Sequence, residues 1–374
     1  ISNVTQLYRD LKGKPYITVS SKGISNGLSD IINDGADFGP DTTLGATSPN
    51  QIGEPYSPTL GWNEALSYLI ANGGGKLYVK KGIYDISNAP LLTNSYRPYK
   101  IGIPYVPFSG SVGNMIQIEI IGEGSGRYNN TLSENITKND IQGGTVIWNN
   151  DTTNSGYSVF HVMSDSTGDR SAIFIKIDGI SIYNNNGSIQ YLDAFDFAFA
   201  SSLIIGTIQA VVIQTPYSYS GPVSYTYIST GVTLPNEGTF YPVNIDFIHA
   251  VGYSVGVYLK GGGVQARIIQ TDACWVGITG DGRNLSPIRI HLHISESEYT
   301  SIQFGYYSVS TLIVDEYTNN NQYSYSTTSL GTNIVATGQS KIIIKNAQLY
   351  NSTSPISWSQ ATPGQLIIKN APFG

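Results

Sequence analysis

Two carboxylates, Asp272 and Glu296, fall at the same place in consecutive β-rich stretches, 264–287 and 288–310. Neighbouring strands of a sheet lie about 4.8 Å apart, so stacking these stretches would bring the two side chains nearly into contact. A carboxylate pair about 5 Å apart can cleave a glycosidic bond with retention, and one about 6.5–9.5 Å apart with inversion. Like charges that close raise one pKa, as a general acid requires. Asp281, in a Gly-rich turn just beyond, competes for either role, and Glu298, Asp315 and Glu316 lie near by in sequence. The same residue types also serve as solvated turn carboxylates, and spacing alone leaves both readings open.

His291 and His293 alternate on one expected strand and would face the same side, an arrangement that suits a metal or a plain polar face. No third ligand stands out, so no metal and no cofactor is assigned. Cys274 is the only cysteine, which excludes an intrachain disulfide and reads as a buried structural thiol. Tyrosine is more informative. Tyr217, Tyr219, Tyr225 and Tyr227 crowd a Ser/Pro/Gly-rich stretch, and Tyr317, Tyr323 and Tyr325 surround Asn319-Asn320-Asn321. Tyr offers a flat apolar face and a hydroxyl at low entropic cost, which suits sugar stacking and protein contacts. These seven are the candidate ligand-binding residues, with general surface cover as the competing reading.

The elements that must position such groups are almost all strands. One helix is expected, over Gly61–Ile70, where Trp62, Leu66, Leu69 and Ile70 share helical spacing and Asn72-Gly73-Gly74-Gly75 supplies the stop. Beyond it, short β-rich runs recur between Gly/Asn/Ser clusters. Apolar centres at Ile245, Ile268, Leu292, Ile313, Ile343 and Ile367 are separated by 23, 24, 21, 30 and 24 residues. The pairs Val255-Gly256-Val257 with Val276-Gly277-Ile278, and Val243 with Val264, both repeat at 21. A period in the low twenties without intervening helices points to an all-β fold, a right-handed parallel β-helix (solenoid) with a short N-terminal capping helix. A β-sandwich is the competing architecture. Residues 1–33 read as a leading cap segment and 34–374 as the β-helix, with loop excursions near 40–60, 92–114, 215–240 and 317–332. Ile245, Phe247, Ile268, Leu292 and Ile313 are expected to point inward.

Composition narrows the function classes. Charged residues make up 12% of the chain, net charge is −6 and the pI about 5.2. Nucleic acid is excluded as a partner, since phosphate binding needs clustered Lys and Arg. No apolar run reaches the roughly 20 residues of a membrane span. Seven Asn-x-Ser/Thr sequons, at Asn3, Asn129, Asn135, Asn150, Asn186, Asn284 and Asn351, agree with a secreted glycoprotein.

A family resemblance adds to this. Asp37-Phe38-Gly39-Pro40-Asp41, the helix, Gly73-Gly74-Gly75-Lys76-Leu77-Tyr78-Val79 and Gly82-Ile83-Tyr84 lead into Ile118-Glu119-Ile120-Ile121-Gly122-Glu123-Gly124 and Gly144-Thr145-Val146-Ile147. The series resembles the opening coils of the pectate-lyase-like β-helix superfamily, in its virus and phage tailspike branch, over about a third of the chain. Two departures lie in turns: Asp41-Thr42-Thr43 with a Pro/Gly/Ser-rich insertion, and Lys80 where the family has proline. The scaffold carries lyases, hydrolases and non-catalytic fibres alike. Asn244-Ile245-Asp246 and Thr271-Asp272-Ala273 are faint echoes of polygalacturonase motifs, but no D-D, G-H-G or R-I-K follows. No calcium site of the lyase kind can be assembled either.

The resemblance therefore implies an extracellular attachment or surface-fibre protein, on a virion or cell surface, that binds a cell-surface polysaccharide or glycoprotein through Tyr-rich loops. Tailspike-like relatives imply a homotrimer. A polysaccharide-degrading glycosidase or lyase and a self-assembling envelope module are the alternatives. The missing motifs set attachment ahead of catalysis.

Overall fold

Strands of two parallel sheets alternate along the chain. The computed structural model describes residues 13–22, 35–108, 115–128, 136–184, 192–213, 229–236, 243–261, 263–280, 287–296, 300–304, 311–320, 333–336, 340–350, 357–360 and 365–370. Among these, one sheet has 14 strands and another 9, and the pairing is parallel throughout both. A small antiparallel pair joins Arg127–Tyr128 to Ile141–Gln142. In the C-terminal half the longer sheet takes Val243–Val251, Val264–Asp272, Ile288–Glu296, Thr311–Asn320, Lys341–Tyr350 and Gln365–Asn370. The shorter sheet takes the segments between: Val255–Leu259, Val276–Gly280, Thr300–Phe304, Asn333–Ala336 and Ser357–Gln360.

The expected pairs at 21 residues are found: Val243 lies opposite Val264, Val255 opposite Val276 and Val257 opposite Ile278. The glycine inside this repeat is required by space. A Cβ on Gly256 would lie 2.7 Å from Gly277 O and 2.7 Å from Thr271 Cγ2.

The ladder of apolar centres needs correction. The true column is Ile245, Ala266, Ile290, Val314, Ile344 and Ile368. Phe247, Ile268 and Leu292 stack on one another in a separate half-buried column, and Ile313 is half-buried too. The physical reason is a bend. In Val243–Val251 the residues Val243, Ile245, Ile248 and Ala250 are buried, whereas Asp246 is exposed and Phe247 half-buried. Two consecutive residues thus point away from the core, and strict period-2 alternation slips by one. The register passes over Asp246, Arg267, His291, Asp315 and Lys345 in successive strands. Past the bend the core takes Ile248, Ile269, Tyr317 and Ala347, with His293 buried in the same column.

Helix α1, Trp62–Ala71, sits where expected. Its Trp62, Leu66 and Leu69 are fully buried, and the Trp62 ring meets Tyr84 and Phe160 edge-on at 5.7 and 6.3 Å. Asn72 and Gly73, the latter at φ 72°, end it. The helix packs on Tyr16–Val19, Gly74–Val79 and Tyr99–Ile103. Tyr16–Val19 is itself a strand of the longer sheet, parallel to Gly74–Val79, so part of the supposed leading segment belongs to the sheet.

Three expected excursions are also shorter than expected. Tyr99–Ile103, Thr230–Thr233 and Thr311–Asn320 are sheet strands that run into the ranges 92–114, 215–240 and 317–332. The segment 40–60 does leave the sheets, held by isolated bridges of Thr42 with Ile52 and Thr43 with Tyr56. Among the described residues no helix is long and apolar enough to cross a membrane.

Candidate functional site

Asp272 and Glu296 are register partners in adjacent parallel strands, as their spacing implies. They end their strands at a tight turn in which Ala273 takes a left-handed φ of 49° and donates its N–H to Glu296 O at 2.9 Å. Burial, followed by the charge of Glu296, pushes the Asp272 carboxyl up to about 7, and burial also raises Glu296. One of the pair can therefore hold a proton near neutral pH. Asp272 is only 7% exposed, however, which leaves little of it open to a saccharide. Cys274 is buried beside it, its thiol 3.4 Å from Asp272 O.

The other expected site residues do not converge on this pair. Asp281, Glu298, Tyr217, Tyr219, Tyr225, Tyr227, Tyr323 and Tyr325 lie outside the described residues. Tyr317 is not a loop tyrosine: it is in a strand, 1% exposed, its hydroxyl accepting from Asn319 Nδ2 at 3.0 Å. His291 and His293 do not share a face. The bend leaves His291 exposed, while His293 is buried and donates from Nδ1 to Ile269 O at 3.0 Å. Burial lowers His293 to about 4, so it is neutral. Among the described residues no cluster of three or more His, Cys, Asp and Glu could hold a metal.

The bend builds something else on the outer face of the longer sheet. Because the skipped residues stack one per strand, their charges alternate up a column: Arg267 pairs with Asp246, and Lys345 and Arg289 reach Asp315 at 2.7 and 2.8 Å. His291 Nδ1 is 3.5 Å from the same Asp315 carboxylate. Against the burial that would raise it, Lys345 and Arg289 hold Asp315 below the usual carboxylate range. Lys176, Asn244, Gln265, Arg267, Arg289 and His291 line a concavity of about 570 Å³ along this column. In a chain with 12% charged residues, this concentrates planar polar groups on one surface.

A third constellation was not anticipated. Ser95 lies in the turn between Leu92 and Tyr99, which bond to each other through N–H and C=O in both directions. His161 and Asp196 are register partners in the shorter sheet, in Tyr157–Val162 and Leu192–Asp196. Ser95 Oγ is 3.0 Å from His161 Nε2, and His161 Nδ1 is 3.1 Å from Asp196 Oδ2. His161 is fully buried and flanked by the rings of Tyr99 at 5.5 Å and Phe199 at 5.8 Å. Asp196 also accepts from Ser158 Oγ at 3.2 Å and from Ala198 N–H at 3.1 Å. Burial would raise Asp196, but the His161 hydrogen bond and charge hold it ionised, well below the usual range.

Its neighbour Asp193 is raised by burial, although Arg97 pairs with it and Thr230 N–H donates to it at 3.0 Å. The sequence gives no motif for this group, since 66 residues separate Ser95 from His161 and 35 separate His161 from Asp196. A usable signal exists in the polar residues embedded in apolar runs, Tyr157-Ser158-Val159-Phe160-His161-Val162 and Leu192-Asp193-Ala194-Phe195-Asp196. Comparison with protein-family models, curated proteins and solved structures returns no match for this chain.

Proposed function

We propose that the chain is a right-handed parallel β-helix, closed at its N-terminal end by helix α1, that serves as an extracellular attachment or surface-fibre protein. Support for the architecture comes from the alternation of parallel strands between two sheets. Equivalent residues recur at 21, 24, 24, 30 and 24 positions from Ile245 to Ile368. The pectate-lyase-like resemblance, the homotrimer it implies and a place on a virion or cell surface belong to the same proposal.

One observation carries the functional reading: the concavity over Lys176, Asn244, Gln265, Arg267, Arg289 and His291. Glycans present closely spaced hydroxyls that donate and accept together. Planar amide, guanidinium and carboxylate groups meet such hydroxyls in pairs, and fixed side chains on a rigid sheet lose little entropy in doing so. The expected ligand is the glycan of a cell-surface polysaccharide or glycoprotein, with the Tyr-rich loops adding stacking faces. Binding of neutral and acidic oligosaccharides, measured by calorimetry beside an Arg267→Ala, Arg289→Ala variant, tests this. Binding that survives the double substitution would move the site away from the bend. A monomeric mass in light scattering would remove the trimer.

The carboxylate pair favours a second reading, polysaccharide cleavage by Asp272 and Glu296. It rests on their register and on the raised Asp272. New reducing ends from wild type but not from an Asp272→Asn, Glu296→Gln variant would establish it.

A further inference from the structure

The geometry points to a second activity at a separate place: Ser95, His161 and Asp196 form a nucleophile–base–carboxylate chain that hydrolyses short-chain carboxylic esters. The argument begins with the protons. Asp196 is ionised and can only accept, so His161 Nδ1 must carry the hydrogen of the 3.1 Å bond. Nε2 is then a bare lone pair, and the group 3.0 Å away is Ser95 Oγ, which must donate to it. Ser164 N–H donates to the same Oγ at 3.1 Å, so the oxygen is oriented from a second side. This tautomer and direction are what an activated serine needs, and the base is itself oriented by a third group.

The placement of the three groups fits that use. Asp196 and His161 are buried on adjacent strands, where neither can rotate freely, while Ser95 is half-buried on a turn that opens to solvent. Beside the turn, exposed Tyr96 packs its ring edge-on to Phe199 at 6.2 Å, and Phe199 in turn packs on His161. The two rings form a small apolar shelf next to the nucleophile, enough for a short acyl group.

The chemistry balances without a cofactor. Ser95 Oγ bonds to the ester carbonyl carbon as its proton passes to His161 Nε2. The tetrahedral adduct collapses, the ester C–O bond breaks and the alcohol departs with the proton from Nε2. Water then gives a proton to Nε2 and its oxygen bonds to the acyl carbon. The bond to Ser95 breaks, the proton returns to Oγ and a carboxylic acid leaves, so ester and water become alcohol and acid. Ser95 and His161 are catalytic in this scheme, and Asp196 is a positioning residue.

The test uses the full chain with p-nitrophenyl acetate as substrate and a fluorophosphonate as covalent probe. Expected are saturable p-nitrophenol release and one phosphonyl adduct, located on Ser95 by peptide mass spectrometry. Ser95→Ala, on a solvent-facing turn, should melt with the wild type, take no label and fall to the uncatalysed background. Asp196→Asn is expected to lower the labelling rate by about a thousandfold while the adduct stays on Ser95. Two results would overturn the inference: folded wild type that takes no label on Ser95, or Ser95→Ala that hydrolyses the ester as fast as wild type.

Discussion

At Lys100 the ammonium group is fully buried, whereas at Arg267 the guanidinium stands more than half exposed, yet each is paired with an aspartate. Lys100 Nζ meets Asp151 at 2.9 Å and donates to Ser87 O at 2.8 Å and Ile86 O at 3.2 Å. Asp151 in turn accepts from Thr153 and Asn154, so neither charge lacks partners. Arg267 and Asp246 share only each other and solvent at the bend. A buried pair costs several kcal/mol of desolvation per ion and persists only when every group is satisfied. An exposed pair is nearly free to rearrange and contributes little to stability. The same chemistry is therefore structural in one region and available for recognition in the other.

The sharpest way to break this contrast is to place a new charge one step either side of the core on a single strand. Ile269→Asp buries a lone carboxylate and is expected to abolish folding, read by far-UV circular dichroism. Ile268→Asp, on the half-buried side of the bend, should cost about 1–2 kcal/mol. Equal effects would mean that the bend is misplaced. Next in size is Lys100→Met, which leaves Asp151 buried and unpaired and should cost about 3–5 kcal/mol in urea unfolding.

Asp272 lies between the two extremes and gives a pH test. Its folded pKa, about 7, is raised above the ordinary carboxylate value, so the folded state binds the proton more tightly than the unfolded chain. Stability is then fully present below about pH 4, declines as pH rises and levels off above pH 7, losing at most about 4 kcal/mol. Asp272→Asn should flatten that slope in thermal melts between pH 4 and 8. A wild-type midpoint that rises over this range would contradict the assignment. The smallest expected effect is that of Arg267→Ala on stability, no measurable shift in midpoint, together with weaker glycan binding.

Legibility in the sequence follows the same division. Where the chain repeats strictly, counting was enough: Val255 with Val276, and Asp272 with Glu296, needed only a constant coil length. Counting failed at the bend. Ile268 and Ile269 are equally apolar, and a one-residue slip in alternation leaves no compositional trace, so the inner and outer columns were confused. His293 and Tyr317 were misread for the same reason, being polar-tipped residues that the slip carries inward. Ser95, His161 and Asp196 were out of reach for another reason. Their meeting depends on a turn between Leu92 and Tyr99 laid over the shorter sheet, a long-range contact that no local pattern encodes.

One feature of the ladder bears on how such a protein changes over time. From Val314 to Ile344 the chain spends 30 residues on a circuit that elsewhere takes 21 or 24, and the register on both sides is kept. Each strand answers only to the strands beside it, so a segment that leaves one sheet and returns can lengthen without disturbing its neighbours. The sheets act as a chassis, and the stretches between them as interchangeable fittings. A lineage under pressure to engage a new surface could exchange one such stretch and keep the rest of its architecture intact.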